Sequence, residues 1–192
     1  AERSGVLNLG IEGMMLGGAL AGFAATLWTG SLLVAVVLGA VVGGLMSLIH
    51  AFLSISMRAN QIVSGLALTI FGTGLTGVLG MGFVGVPLPQ GLTLISIPVL
   101  SAIPVIGPLF SNNALVYLSL TLALLLWFVL FKTRAGINIR AVGENPAAAD
   151  ALGVNIYRTR YLCVFLGGVL AGTGGAFLPL GILFSWRENI TA

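Results

Sequence analysis

Long runs of apolar residues without any charge make up most of this sequence. Residues 13–57 and 59–131 contain no Asp, Glu, Lys or Arg. A helix that crosses the hydrocarbon core of a bilayer needs about 20 mostly apolar residues. The runs are continuous, whereas the strands of a membrane barrel would alternate polar and apolar residues. The pattern therefore predicts an all-α, polytopic transmembrane helical bundle that forms one domain over residues 1–192.

Short polar turns divide the apolar sequence into about five predicted spans. These spans cover residues 9–28, 32–53, 60–81, 115–131 and 161–183. Between the third and the fourth, residues 82–113 contain five prolines, and proline removes a backbone donor and interrupts helices. We therefore expect an irregular or re-entrant connection there. Both ends of the chain are abrupt, so we expect a fragment of a longer subunit.

Glycine is abundant, at 28 residues, and part of it has the spacing of helix contacts. Three pairs lie four residues apart on predicted spans: Gly18 with Gly22, Gly39 with Gly43, and Gly168 with Gly172. Inside lipid, small residues at this spacing let helix backbones approach closely. The pairs indicate either a tightly packed bundle or helices that slide against each other during transport.

The composition excludes a soluble globular domain. The chain is 58% hydrophobic and 7% charged, with a mean hydropathy of +1.12, whereas globular domains carry about 25% charged residues. Five of the eight basic residues lie within residues 132–160. Cytoplasmic loops carry such an excess, so we expect this loop in the cytoplasm and residues 82–113 outside. The net charge of +3 then marks topology and not a nucleic-acid surface.

A short helix is predicted inside this charged loop, over residues 145–153. Asn145 is a favoured N-cap, Pro146 a favoured first helical residue, and Gly153 suits the left-handed position after the last turn. A helix of about two turns is marginal alone in water, so it needs a surface to dock against. Its alanines suit a groove on a partner, and Glu144 and Asp150 offer charge for pairing. An interfacial helix on lipid headgroups is the alternative, but it would need a bulky apolar face.

Several segments resemble one family of membrane proteins. IRAVGENPAAADALGVNIYRTRYL (residues 139–162) resembles the cytoplasmic coupling-helix loop of permease subunits of bacterial ABC importers, in the branched-chain amino acid and simple-sugar permease superfamily. GVLNLGIEGMMLGGALAGF (residues 5–23), RANQIVSGLALTI (residues 58–70) and ENITA (residues 188–192) are similar to the same family. Together they resemble its nucleoside branch.

The resemblance implies a type II importer fold of about ten helices, of which this chain holds the central half, in the bacterial inner membrane. It implies translocation of a nucleoside or a simple sugar, and three protein partners: a cytoplasmic ATPase with two nucleotide-binding modules, a second permease subunit (a heterodimer is favoured) and an external substrate-binding lipoprotein. The residues expected to couple to the ATPase are Arg140, Gly143, Glu144, Asn145, Pro146, Asp150 and Gly153.

No enzymatic activity and no cofactor are expected in this chain. The phosphate-binding motif GxxxxGK[ST] is absent from the sequence, and that motif is what cradles nucleotide phosphates in ATPases. ATP and Mg would therefore be bound by the partner ATPase. Membrane lipid is the other expected partner. A secondary transporter or channel for small polar solutes is the alternative function, but ion coupling would need intramembrane charges, and only Glu12 qualifies.

Two small groups of polar residues are candidates for the substrate pathway. Glu12, with Asn8, lies in an early apolar run, where an ionisable group usually faces a cavity or a partner; alternatively, the span starts after Glu12. Asn60, Gln61 and Ser64 begin the third span, and amides and hydroxyls suit a sugar or a nucleobase. Their alternative is helix capping with interhelical hydrogen bonds.

For the remaining candidate residues, one histidine, one cysteine and three tryptophans, we expect structural or interfacial roles. His50 and Ser64 suggest the dyad of an intramembrane serine protease, but the sequence before Ser64 lacks the usual glycine, so we expect His50 at the membrane interface. Cys163 is expected to be a small packing residue. Trp28, Trp127 and Trp186 lie near predicted span ends, as interfacial anchors do.

Overall fold

The computed structural model describes residues 1–96, 111–187 and 190–191. Much of the proline-rich connection predicted at 82–113, residues 97–110, therefore lies outside the described residues. In the described part the helices are α1 (Ile11–Thr29), α2 (Leu32–Ala51), α3 (Gln61–Gly80), α4 (Ala114–Lys132), α5 (Arg134–Glu144), α6 (Pro146–Ala151) and α7 (Ile156–Phe177). Two short strands, β1 (Leu94–Ser96) and β2 (Ser111–Asn113), pair antiparallel at the two ends of the 97–110 segment.

Five of these helices are long and apolar enough to cross a membrane, as predicted. With their terminal extensions they cover Ile11–Thr29, Leu32–Ser56, Gln61–Phe83, Ala114–Lys132 and Ile156–Leu183. The second and fifth end in π-helical turns, Phe52–Ser56 and Leu178–Leu183. The fifth begins five residues earlier than position 161, because the Asn155 side chain accepts a hydrogen bond from the Arg158 backbone amide and caps the helix there.

Helices α1, α2 and α7 form a block that is held together through glycines. A Cβ atom on Gly172 would collide with the Gly39 carbonyl and lie 2.9 Å from Gly43 Cα, and one on Gly18 would collide with the Gly172 carbonyl. A Cβ on Gly22 would lie 2.8 Å from the Ala176 side chain. The close approach at the three glycine pairs agrees with the first alternative, a tightly packed bundle, and sliding of the helices stays a prediction. Such contacts replace the hydrophobic driving force that lipid does not provide.

Helix α3 packs against α1 by the same means. A Cβ on Gly72 would lie 2.6 Å from Gly13 Cα, and a Cβ on Gly10 would lie 3.0 Å from the Leu68 side chain. Helix α4, in contrast, has no buried residue among its 19. An apolar cavity of about 310 Å³ separates it from α7.

The chain turns back after the fifth span and covers the end of α1. Phe184 has a left-handed backbone with φ of 51°, and Trp186 then packs with its ring centroid 6.1 Å from that of Phe23. Trp186 is 1% exposed, so its predicted role as an interfacial anchor is wrong. Trp28 and Trp127 are 78% and 54% exposed, which agrees with their predicted roles.

Candidate coupling site

The short helix in the charged loop has the predicted caps. The Asn145 side chain accepts a hydrogen bond from the Ala148 amide at 3.1 Å, Pro146 is the first helical residue, and Gly153 follows with φ of +82°. Ala149 is buried against the rest of the protein. The helix therefore has one attached side and one free side.

The free side of α6 carries more than alanine and charge. Leu152, directly after α6, is 83% exposed and adds an apolar side chain to this side. Glu144, Asn145 and Asp150 are exposed as well. Sequence reasoning missed Leu152, because exposure of a single leucine has no signal in a hydrophobic pattern.

Helix α5 joins α4 to α6 and was not predicted as a separate helix. Thr133 caps it by accepting a hydrogen bond from the Gly136 amide at 3.2 Å. Arg140, on α5, places its guanidinium 5.3 Å from the centre of the Phe131 ring, and its buried Nε has no hydrogen-bond partner among the described residues. Arg140 therefore packs within the protein, on the attached side of the coupling region.

The N-terminal segment, residues 1–10, touches this coupling region through its backbone. A Cβ on Gly143 would collide with the Arg3 carbonyl, and one on Gly5 would lie 3.4 Å from Gly143 Cα. Arg160, on α7, donates from Nε to the Ser4 carbonyl at 3.2 Å. Gly143 is thus required for close approach, which gives this predicted coupling residue a physical reason.

The same N-terminal segment is bonded to the transmembrane helices. Its Leu7 amide donates to Gln61 Oε1 at 2.8 Å, and the Leu7 carbonyl lies 2.9 Å from His50 Nε2. Further along, Thr69 Oγ1 donates to the Leu9 carbonyl at 3.1 Å. Residues 1–10 therefore link the coupling region to α2 and α3 and run directly into α1.

His50 is fully buried within the protein, and its depth in the membrane stays a prediction. Its Nδ1 lies 3.0 Å from Ser64 Oγ, and its Nε2 faces the Leu7 carbonyl. Since a carbonyl only accepts, Nε2 carries the proton and Nδ1 accepts from the Ser64 hydroxyl. The Ser64 backbone amide donates a hydrogen bond to the Asn60 carbonyl at 3.0 Å, so this amide is not available to stabilise an oxyanion. The pair joins α2 to α3 through this hydrogen bond.

The other predicted pathway residues have partners within the protein. Asn60 Oδ1 caps α3 by accepting from the Ile62 and Val63 amides at 3.0 and 3.3 Å. With the Gln61 and Ser64 contacts, this matches the alternative of capping and interhelical bonding. Contact of these residues with substrate stays a prediction.

Glu12 and Asn8 lie at the start of α1. Asn8 is 5% exposed and its Oδ1 accepts from the Gly10 amide at 3.0 Å. Glu12 is exposed in the first turn of α1, and its Oε1 accepts from Thr191 Oγ1 at 3.3 Å. The returning chain after Trp186 thus reaches the opposite end of α1 and places a hydroxyl beside this carboxylate.

Five membrane-length helices with a short exposed helix between the last two define a multi-pass α-helical membrane protein. Residues 1–191 match the family model described as branched-chain amino acid transport system / permease component. The chain belongs to this family, as its resemblance indicated. No solved structure gave a significant match.

Curated relatives carry names of transport proteins. The chain is 41% identical over 196 residues to TsgC13 of Haloferax volcanii, whose name provisionally assigns it as a glucose ABC transporter permease protein. It is 39% identical to the nucleoside ABC transporter permease protein NupC of Lactococcus lactis and 38% identical to the guanosine ABC transporter permease protein NupQ of Bacillus subtilis. These matches cover 100%, 95% and 98% of this chain, and 59%, 61% and 63% of the relatives.

Proposed function

We propose that this chain is the central part of the transmembrane subunit of an ATP-driven importer. The observation that carries the proposal is the capped helix α6, whose free side stands out from the bundle between the fourth and fifth spans. Family membership supports the same conclusion. The chain spans about three-fifths of the length of the relatives it matches, and the rest of the pathway would come from residues outside this sequence and from a second permease subunit.

The free side of α6 is proposed to bind a groove of a cytoplasmic ATPase. Ala147, Ala148 and Ala151 leave room for close approach, and Leu152 provides an apolar side chain whose burial in the groove would contribute to binding. Glu144 and Asp150 would pair with basic residues of that subunit. ATP and Mg would be bound there, and an external substrate-binding lipoprotein would deliver the substrate.

Movement of α6 would be passed on by the N-terminal segment. Helix α5 carries α6, and its Gly143 presses against residues 3–5. The chain continues from these residues directly into α1. On the way, the Leu7 backbone is hydrogen-bonded to the side chains of Gln61 and His50. Since α1, α2 and α7 are packed backbone to backbone, we expect them to move as one body, which is the usual form of alternating access.

The proposed substrate is a nucleoside, with a simple sugar next. Both present several neutral hydroxyl groups, which pair with carboxylate, amide and hydroxyl side chains. Glu12 and Thr191 provide such groups at the start of α1, with Asn8 close in sequence. The names of the relatives, which mention guanosine, nucleoside and glucose, support this range of substrates.

Replacing Leu152 by Asp in the full-length subunit tests the proposal. We expect co-purification with the ATPase to fall about tenfold or more, as for an interface hot spot. The matched control is Leu94→Asp, because Leu94 is 71% exposed on β1, which pairs with β2 at the opposite end of α4. Unchanged ATPase binding by Leu152→Asp would reject the coupling role of α6.

The substrate is tested separately in the reconstituted complex with a panel of nucleosides and sugars. The compounds that stimulate ATP hydrolysis would identify the substrate.

A further inference from the structure

A polar cavity of about 380 Å³ lies beside the coupling region, between the end of α2 and the starts of α3, α6 and α7. The residues that line it include Ser54, Arg58, Gln61, Pro146, Tyr157 and Arg160. The lining contributed by the described residues contains two arginines and no aspartate or glutamate. A cavity with this charge is suited to an anion.

Arg58 is held in a defined position at the edge of this cavity. It follows the π-helical turn of α2 with φ of 53°, a left-handed conformation that is uncommon for residues other than glycine. A hydrogen bond with the Tyr157 hydroxyl raises the pKa of Arg58. An arginine is charged at every physiological pH, and Tyr157 places a residue of α7 beside the side chain of Arg58.

Arg160 supplies the second positive charge. Its Nε donates to the Ser4 carbonyl at 3.2 Å, which fixes the plane of the guanidinium. An arginine has five N–H donors in a rigid fork, so most of them remain for another acceptor. Phosphate and carboxylate oxygens both match this geometry.

The depth of the cavity in the membrane favours a lipid. The fifth span has 28 residues, or roughly 42 Å of helix, and exceeds the hydrocarbon core of about 30 Å. Its first turns contain Arg158 and Arg160, and since charged residues are costly in the hydrocarbon core, we expect these turns at the level of the headgroups. Met57 and Ile62, which flank the cavity in sequence, are 62% and 47% exposed and offer an apolar surface to acyl chains. Basic pockets between transmembrane helices at this level bind anionic headgroups.

We propose that this cavity binds the phosphate of an anionic phospholipid, with Arg58 and Arg160 as its ligands and Tyr157 positioning Arg58. The site goes beyond the proposed transport function. Binding needs neither the ATPase nor substrate, so its failure and the failure of the coupling proposal are separate outcomes.

The test uses the purified full-length subunit in detergent and measures binding of phosphatidylglycerol and phosphatidylcholine by native mass spectrometry. Arg58→Gln should weaken phosphatidylglycerol binding about tenfold, as expected for loss of a charge-assisted hydrogen bond. Tyr157→Phe should weaken it less, about threefold, since the charge remains and only its orientation is lost. Phosphatidylcholine should bind weakly to every variant.

The matched control is Arg158→Gln. Arg158 is an exposed arginine in the same first turn of α7, but it does not line the cavity, so binding should stay within about twofold. Thermal unfolding of each variant checks that the fold is intact. Arg58 is exposed, and its replacement should leave the melting temperature unchanged.

Three outcomes would overturn the proposal. The first is equal binding of phosphatidylglycerol by Arg58→Gln and the unchanged protein, which would show that Arg58 is not a ligand. Excess inorganic phosphate could displace the lipid and bind with the same dependence on Arg58, which would show a site for free phosphate. Arg58→Gln could leave lipid binding intact and weaken association with the ATPase, which would assign the cavity to that interface.

Discussion

Helices α1 and α4 have the same length, 19 residues, but they lie in opposite surroundings. Of the residues in the membrane-length stretch of α1, 67% are buried. In the corresponding stretch of α4, no residue is buried. Helix α1 contains four glycines and α4 contains none. Because lipid is as apolar as the helices, burial inside a membrane depends on how closely backbones can approach. Small residues, and not hydrophobicity, therefore decide which helix joins the block.

Helix α4 is held mainly at its two ends. At its start the Asn113 side chain donates to the Gly181 carbonyl at 3.2 Å, and at its end it continues through Thr133 into α5. Between these points the cavity of about 310 Å³ separates it from α7. The α1–α2–α7 block is thus closely packed, and α4 is a peripheral helix that leads through α5 into α6.

The largest effect is expected from Gly172→Ala, which breaks the block. The new Cβ would collide with the Gly39 carbonyl and crowd Gly43, and both contacts are backbone atoms that cannot move aside. We expect the free energy of unfolding to fall by more than about 3 kcal/mol, the upper range for overpacking, measured by thermal unfolding of the full-length protein in detergent.

Gly167→Ala is the matched control for this experiment. Gly167 lies on the same helix, and a Cβ there meets nothing within 4 Å. Alanine favours helices over glycine by about 1 kcal/mol, so this variant should be as stable as the unchanged protein or slightly more stable. Equal loss of stability in both variants would refute the packing argument.

A smaller effect is expected from His50→Leu, which detaches α3 and the N-terminal segment from the block. The substitution leaves the Leu7 carbonyl and the Ser64 hydroxyl without their partner, and an unpaired buried polar group costs about 1–3 kcal/mol. We expect a loss of roughly 2–3 kcal/mol in the same unfolding measurement. Ser64→Ala should lose less, since the contact with Leu7 survives. A larger loss for Ser64→Ala would contradict the assigned role of His50.

The smallest effect is expected on α4. Leu124, at its middle, is 72% exposed, and a leucine that faces lipid gains little from its size. Leu124→Ala should change the free energy of unfolding by less than about 0.5 kcal/mol. A loss near that of a core leucine, about 2–5 kcal/mol, would show that α4 is covered by another part of the full-length subunit or by its partner.

The features that depend on local chemistry could be predicted from the sequence. Span positions follow from apolar length, and the ends of α6 follow from Asn145, Pro146 and Gly153, because capping involves residues within one turn. The glycine pairs were also visible as spacing. The partner of each glycine was not, since Gly172 meets Gly39 and Gly43 only after the chain has crossed the membrane several times.

The features that the sequence did not reveal depend on distant contacts. His50 is buried because Leu7 and Ser64 supply hydrogen bonds from two other segments. Trp186 is buried because the chain reverses at Phe184 and packs it against Phe23. Helix α5 was missed because its sequence is too polar to form a span, and its apolar residues follow a helical period along one face instead of forming a continuous apolar run. A one-dimensional hydropathy pattern contains none of this information.

The approach of Gly143 to residues 3–5 has a consequence for the conditions under which the protein can work. The direct contact of Gly143 with residues 3–5 is between backbone atoms, and the side chain bonded beside it is Arg160, which donates to the Ser4 carbonyl. Among the described residues this contact therefore depends on no ion pair that dissolved salt could screen. A movement that crosses this contact would therefore depend little on the ionic strength around it. Substitutions at neighbouring surface positions could then accumulate without changing the backbone contact between Gly143 and residues 3–5.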